Sequence, residues 1–235
     1  MAVQPVVRKA ELLRGGCTEE EANFLNGRSL MTLASGIANG YGCVLFPEGT
    51  SHNNSYMLRF RTGPMRTVLA AGALAATSDK PLPVLIPLGL HFRQKEHFRT
   101  DVWVEYGKPI QVDSEDIPDN LIEAVRGGTW SEPPAESVFR LRDNLRDKLV
   151  PLSPDVNSWE EYRGLQLLGH IKGRLEGNAP NSWSHEVKLA RHFRKHFSDE
   201  NRSLEADNLQ PPKITHPLVE KAEQAADILH NNGLD

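Results

Sequence analysis

The chain has no apolar run near the roughly 20 residues that a membrane-spanning helix needs. It also has no secretory-type apolar stretch after Met1. Any contact with a membrane is therefore expected to be peripheral, or to lie in sequence beyond these 235 residues. Cysteine is scarce. Cys17 falls in an expected loop and Cys43 in an expected buried strand, which argues against a disulfide or metal framework and fits a reducing, intracellular compartment. A large charge of one sign is missing too. The formal net charge of −4 argues against a dedicated nucleic-acid binder, and no internal repeat is visible.

What the chain does have is concentrated in residues 43–77. Cys43-Val44-Leu45-Phe46 reads as a short buried strand, and Pro47, lacking an N–H for a ladder, ends it. The turn Glu48-Gly49-Thr50-Ser51 follows, then the basic linker Arg59-Phe60-Arg61-Thr62-Gly63, then a run of Ala and Leu opened by Pro64 that predicts a helix. A carboxylate and a glycine thus sit at the end of a strand with cations nearby, and in open α/β folds ligands bind at such strand ends. Arg59, Arg61, Arg66, His91, Arg93, Lys95, His97 and Arg99 crowd the middle of the chain. Such clusters are solvated surface or a site for phosphate or anionic lipid; their place beside the turn favours the site.

Phe46-Pro47-Glu48-Gly49-Thr50 resembles the signature of the glycerolipid acyltransferases. The continuation Ser51-His52 resembles the fungal-type glycerol-3-phosphate and dihydroxyacetone-phosphate acyltransferases. A second block of that family lies in register downstream: Pro83–Leu90, His97-Phe98-Arg99 and Val102–Ile110. The resemblance covers roughly the first half of the chain. It implies acyl transfer in phospholipid synthesis from acyl-CoA or an acylated carrier protein to glycerol-3-phosphate or a related acceptor, with no cofactor and no metal. It also implies work at a membrane surface, on the cytoplasmic face, the endoplasmic reticulum in a eukaryote.

Carried over by that resemblance, Glu48, Gly49 and Thr50 line the acceptor site, and Ser51 stands where many relatives have an arginine. The phosphate then depends on Arg8 and Arg61, and Pro87 shapes the floor. Arg8 ends the apolar segment Val3–Arg8, which reads as a strand and resembles the tail of a family Pro-Val-x-Arg motif; the other reading is an ordinary surface arginine. The family's base is a histidine with an aspartate five positions on, ahead of that motif, so no catalytic residue is assigned here. His230 with Asp235 has this offset at the C-terminal end and reads as coincidence, and His91 with Glu96 is the one substitute near a family block. His52 is expected to hydrogen-bond within its turn. His192 and His196 have a metal-binding spacing, but their basic neighbours suggest a solvent face.

The fold expected is α/β: a partial acyltransferase core with a mixed sheet over residues 1–113, lacking the His-x4-Asp segment, then a mostly helical extension over 114–235. The extension carries a flexible connector near 199–216. Strands are expected over 84–90 and 101–106. Capping boxes are expected at Thr18/Glu21 and Ser158/Glu161, Asp116 is expected to cap a helix from Pro118, and a last helix runs from about Pro217 to His230. Such a core is expected to expose apolar surface. The alternative to an enzyme is an inactive fragment or pseudoenzyme that binds glycerol phosphate or anionic lipid, or regulates an intact paralogue; a third reading is a helical scaffold over 114–235.

Overall fold

The structure is a computed structural model and describes residues 6–95, 97–128, 130–177, 182–198 and 209–234. In chain order the elements are α1 (Lys9–Arg14), α2 (Glu19–Ala38), α3 (Gly63–Thr77), β1 (Val84–Leu85), β2 (Leu88–Phe92), β3 (Val102–Tyr106), β4 (Ile110–Gln111), α4 (Asp119–Arg126), α5 (Ala135–Leu149), α6 (Trp159–Leu175), α7 (Trp183–Phe197) and α8 (Pro217–Asn231). The mixed helix and strand content and the helical C-terminal part agree with the expected class. In place of one mixed sheet, the strands form two antiparallel pairs, β1 with β4 and β2 with β3. Pro87 breaks the single strand expected over 84–90, since it cannot donate to a ladder.

The chain forms two compact units. The first comprises the segments up to Thr50, Phe60–Pro87 and Lys108–Arg146. Its α2 begins with the expected capping box: Thr18 Oγ1 accepts from Glu21 N at 3.2 Å and Glu21 Oε2 accepts from Thr18 N at 2.8 Å. Pro64 lies in the first turn of α3, whose small residues from Met65 to Ala75 are almost all buried. Ala70 and Ala71 pack on Ala34 of α2, with Trp130 closing the edge. Glycines in these helices make room for neighbouring side chains: a Cβ on Gly72 would stand 2.5 Å from Ile117 Cδ1, and one on Gly27 would stand 2.9 Å from Trp130 Cγ. Asp116 does not cap α4. It lies in a 3-10 turn and pairs with Arg140 of α5, and Pro118 takes the cap position without a side-chain bond. A guanidinium at a buried carboxylate outweighs the weaker pull of a cap. In α5, Val138, Leu141, Leu145 and Leu149 are buried as their spacing predicts.

The second unit comprises Ser51–Arg59, Leu88–Gly107 and Asp147–Asp235. The α6 helix packs on α7 and α8, and Val156, Leu165, Leu168, Ala190, Ile214, Val219 and Ala222 form its core. Ser158 accepts from Glu161 N at 3.2 Å, but the box is only half made. The Glu161 carboxylate is fully buried and instead accepts from Asn157 N at 3.2 Å and Ile214 N at 2.8 Å, which pins the segment before α8. That bond holds 209–216 in place; the rest of the expected flexible connector, 199–208, lies outside the described residues. Leu175, the last residue of α6, is 83% exposed. Segment 51–59 is tied in by Ser55 Oγ, which donates to Val156 O at 2.8 Å, and by Trp159 Nε1, which donates to Asn53 O at 2.7 Å.

Candidate functional site

The expected strand Cys43–Phe46 is not formed, and Cys43 is not buried. Val44 is 69% and Phe46 73% exposed. A strand needs a neighbour to take its hydrogen bonds, and among the described residues none pairs with 43–46. The turn it leads into is nevertheless well defined. Gly49 N donates to Phe46 O at 3.1 Å, with Pro47 at the second position, where its fixed φ suits a turn. Gly49 then adopts φ +67°, a conformation that costs other residues energy.

Two arginines meet this turn, both within the first unit. Arg8 Nη2 donates to Gly49 O at 3.2 Å. Arg61 N donates to Pro47 O at 2.7 Å, and its side chain lies over Gly49, with Cγ 3.0 Å from where a Cβ would be. Arg8 is placed by a short arm rather than by the expected strand: residues 6–8 are extended without a ladder, and residues 1–5 lie outside the described ones. Val7 N donates to Ser29 Oγ at 3.1 Å, and Asn26 Nδ2 donates to Val7 O at 2.6 Å. These bonds fix the arm to α2 just before α1, whose N-terminal cap is Arg8 itself. Nothing local in the sequence marks Asn26 or Ser29 for this task.

Glu48 is half-buried in the turn and Thr50 is exposed. Ser51 is exposed and opens the segment that belongs to the second unit. Pro87 is fully buried at the end of the first unit's segment. His52 Nδ1 accepts from Asn54 N at 3.1 Å, a local turn bond of the kind expected. The chain thus brings Arg8, Gly49 and Arg61 together: the Arg8 guanidinium reaches the turn, where it also lies 3.7 Å from Glu11, and the Arg61 side chain starts against Gly49.

His91 is placed differently. Its Glu96 partner lies outside the described residues, and the ring is buried in the second unit. Its Nε2 is 3.3 Å from Glu105 Oε2, it stacks on Trp103 with centroids 5.0 Å apart, and its carbonyl accepts from Trp183 Nε1 at 2.8 Å. Arg191 of α7 holds Glu105 with both terminal nitrogens, at 3.0 and 2.6 Å. The cavity that His91 lines with Tyr162, Arg191 and Arg194 measures ≈ 10 Å³, room for about one water molecule and not for a substrate. This cluster docks α7 on the inner face of the β2–β3 pair. His192 and His196 stack with centroids 6.4 Å apart, and no group of three metal-ligating side chains occurs among the described residues.

The buried cluster makes stability depend on pH. Burial pushes the His91 imidazole below its ordinary value, the Arg191 charge adds to this, and Glu105 opposes it. For Glu105, burial favours the neutral acid, but Arg191 and His91 outweigh it and hold the carboxyl below its ordinary range. The folded state therefore keeps His91 neutral and Glu105 charged. Below about pH 6.5 the unfolded chain gains a proton on His91 that the folded chain refuses, and below about pH 4.5 the same holds at Glu105. The urea midpoint should be level above about pH 7 and fall as the pH drops to about 5.5. In His91→Gln that decline should flatten; an unchanged slope would place its origin elsewhere.

No protein-family profile matches the chain, and no solved structure does. Glycerol-3-phosphate O-acyltransferase 2 of Saccharomyces cerevisiae is 27% identical over 229 residues, 91% of this chain and 29% of that protein. An uncharacterised acyltransferase of Schizosaccharomyces pombe is 25% identical over 130 residues, 55% of this chain and 18% of that protein. Glycerol-3-phosphate O-acyltransferase 1 of S. cerevisiae is 24% identical over 130 residues, 55% of this chain and 16% of that protein. The chain spans less than a third of the length of these relatives.

Proposed function

Because this chain is a relative of the glycerolipid acyltransferases, we propose that its first unit holds the acceptor of an O-acyl transfer, glycerol-3-phosphate or a close analogue. The phosphate sits between Arg8 and Arg61, against the turn Glu48-Gly49-Thr50, and Pro87 belongs to the surroundings of that site. The observation that supports this most is the hydrogen bond from Arg8 to the Gly49 carbonyl, which bridges 41 residues of chain to put a guanidinium at the turn. Two cations fix the anion and so aim the glycerol hydroxyl, and fixed orientation is a large part of what such a transfer needs. Glycine at position 49 lets the turn adopt φ +67° and leaves room for the Arg61 side chain to lie against it. On this reading Glu48 accepts a hydrogen bond from a glycerol hydroxyl.

The acyl group comes from acyl-CoA or an acylated carrier protein, and the reaction takes place at a membrane surface, where an amphiphilic product collects. No helix among the described residues is long and apolar enough to cross a membrane. Of the nine histidines of the chain only His230 has an aspartate five positions on, far along the chain from the turn. A base has to take the hydroxyl proton, and on this reading it is a histidine–aspartate pair from a longer form of the protein. The same observation favours a second reading for the 235-residue chain by itself: it binds the acceptor without transferring to it.

The test is to incubate the purified chain with labelled long-chain acyl-CoA and glycerol-3-phosphate, and in parallel to dialyse it against labelled glycerol-3-phosphate. Acylated product that disappears in Glu48→Ala supports the enzyme. Retained glycerol-3-phosphate without product supports the binding form. If the chain neither makes product nor retains label, both readings are overturned.

A further inference from the structure

The β2–β3 pair is a ribbon with two unlike faces. Its inner face carries His91, Trp103 and Glu105 beneath α7. Its outer face carries three cross-strand pairs in register: Leu88 with Tyr106, Leu90 with Val104, and Phe92 with Val102. All six are exposed, between 38% and 69%, and no charged side chain interrupts them. Strand period alone sets this division, because alternate residues point to opposite faces. At the connecting end Phe98 is 89% exposed, and the Arg99 guanidinium lies over its ring, 5.2 Å from the centroid.

We propose that this outer face is a membrane-docking surface that lies on an anionic lipid bilayer, with Phe98 inserted among the headgroups. The choice of a lipid occupant rests in part on the acyltransferase reading, whose product is a lipid. The rest comes from the ribbon. Five residues of strand extend about 17 Å, too short to cross a bilayer but suited to lying in its surface layer. An unbroken apolar face with an aromatic ring and a cation at its tip matches that layer, where rings sit at headgroup depth and guanidiniums meet phosphates. Arg93 and Asp101 pair at 3.3 Å and Lys95 lies over the Trp159 ring, 4.4 Å from its centroid, so among the described residues Arg99 is the cation that the exposed tip presents. A second copy of the chain would account for the apolar strands but not for a cation held on so exposed a ring.

The test is co-sedimentation of the chain with vesicles of phosphatidylcholine alone and of phosphatidylcholine with phosphatidylserine, without acyl donor or acceptor. The chain should partition to both and more strongly to the anionic vesicles. Phe98→Ser should weaken partitioning to both about tenfold. Arg99→Ser should weaken it about fivefold on the anionic vesicles alone. The double variant Leu90→Thr with Val104→Thr, which keeps strand-forming residues, should weaken it at least as much as Phe98→Ser, with an unchanged circular dichroism spectrum for all three. No sedimentation, or variants that sediment like the parent, would overturn the proposal. So would a dimer that the double variant splits while vesicle binding stays absent. A chain that binds vesicles but not glycerol-3-phosphate would lose the acceptor reading and keep this surface; the reverse result would remove this surface alone.

Discussion

Gly49→Val should reduce glycerol-3-phosphate binding by roughly ten- to a hundredfold, the loss expected when hydrogen bonds to a charged group worth about 1.5–3 kcal/mol are broken. Two features of the turn combine to give this. Gly49 has φ +67°, a conformation in which a β-branched residue is strained. A Cβ there also meets Arg61 Cγ at 3.0 Å, so the side chain that covers the turn has to move away. If the added valine side chain instead drives the backbone out of its left-handed conformation, the carbonyl at this position turns and Arg8 loses its acceptor. Either way the arrangement of arginines around the turn is broken. The cost to stability should be about 1–3 kcal/mol, since the turn lies at the surface and the α2–α3 core is not touched. Gly49→Ala should fall between, because alanine tolerates positive φ better than valine. Titration of the ligand beside a thermal melt checks both parts. Loss of binding together with complete unfolding would mean that the turn holds the fold and not the ligand.

Gly164→Val should destabilise the second unit by about 3 kcal/mol. In α6 a Cβ at this position would stand 2.8 Å from Glu223 N and 2.9 Å from Glu223 Cα, the backbone of α8. Backbone cannot rotate aside as a side chain can, so the two helices have to separate and lose the contacts of Leu165 and Val219. Gly169 does the same on the other side, where a Cβ would lie 2.9 Å from Glu186 O of α7. Gly164→Ala should cost less, since alanine recovers about 1 kcal/mol of helix propensity. Gly36 in α2 gives the contrast. Nothing lies within 4 Å of its Cβ position, and Gly36→Ala should stabilise by about 0.5–1 kcal/mol. Urea unfolding followed by tryptophan fluorescence reads the second unit well, because Trp103, Trp159 and Trp183 lie in it. A midpoint for Gly164→Val equal to that of the parent would show that α6 and α8 are not in close contact.

The helices are legible in the sequence because their signals are local. Thr18 and Glu21 lie three residues apart, Pro64 opens α3, and the spacing of Val138, Leu141, Leu145 and Leu149 marks a face directly. Strands are harder to read, because four apolar residues such as Cys43–Phe46 do not say which chain will take their hydrogen bonds. Pro87 is plain in the sequence, but the change of partner it causes, from β4 for β1 to β3 for β2, depends on residues far along the chain. At the candidate site, the turn and its two arginines can be named from the family resemblance. The Asn26 and Ser29 bonds that hold Arg8 in place cannot, because each joins residues about 20 positions apart with no motif between them. The same is true of Arg191 and Glu105, separated by 86 residues. Their pairing explains why His91, a candidate base by sequence offset, is a buried docking residue.

On the proposed reading, Arg8 and Arg61 make the Glu48-Gly49-Thr50 turn a phosphate-binding site. The most direct measurement is isothermal titration of glycerol-3-phosphate, and separately of glycerol, into the purified chain and into Arg8→Ala. Heat is expected from glycerol-3-phosphate only, with affinity about tenfold or more weaker in the variant. Equal affinity in parent and variant, or no heat from either compound, would contradict it.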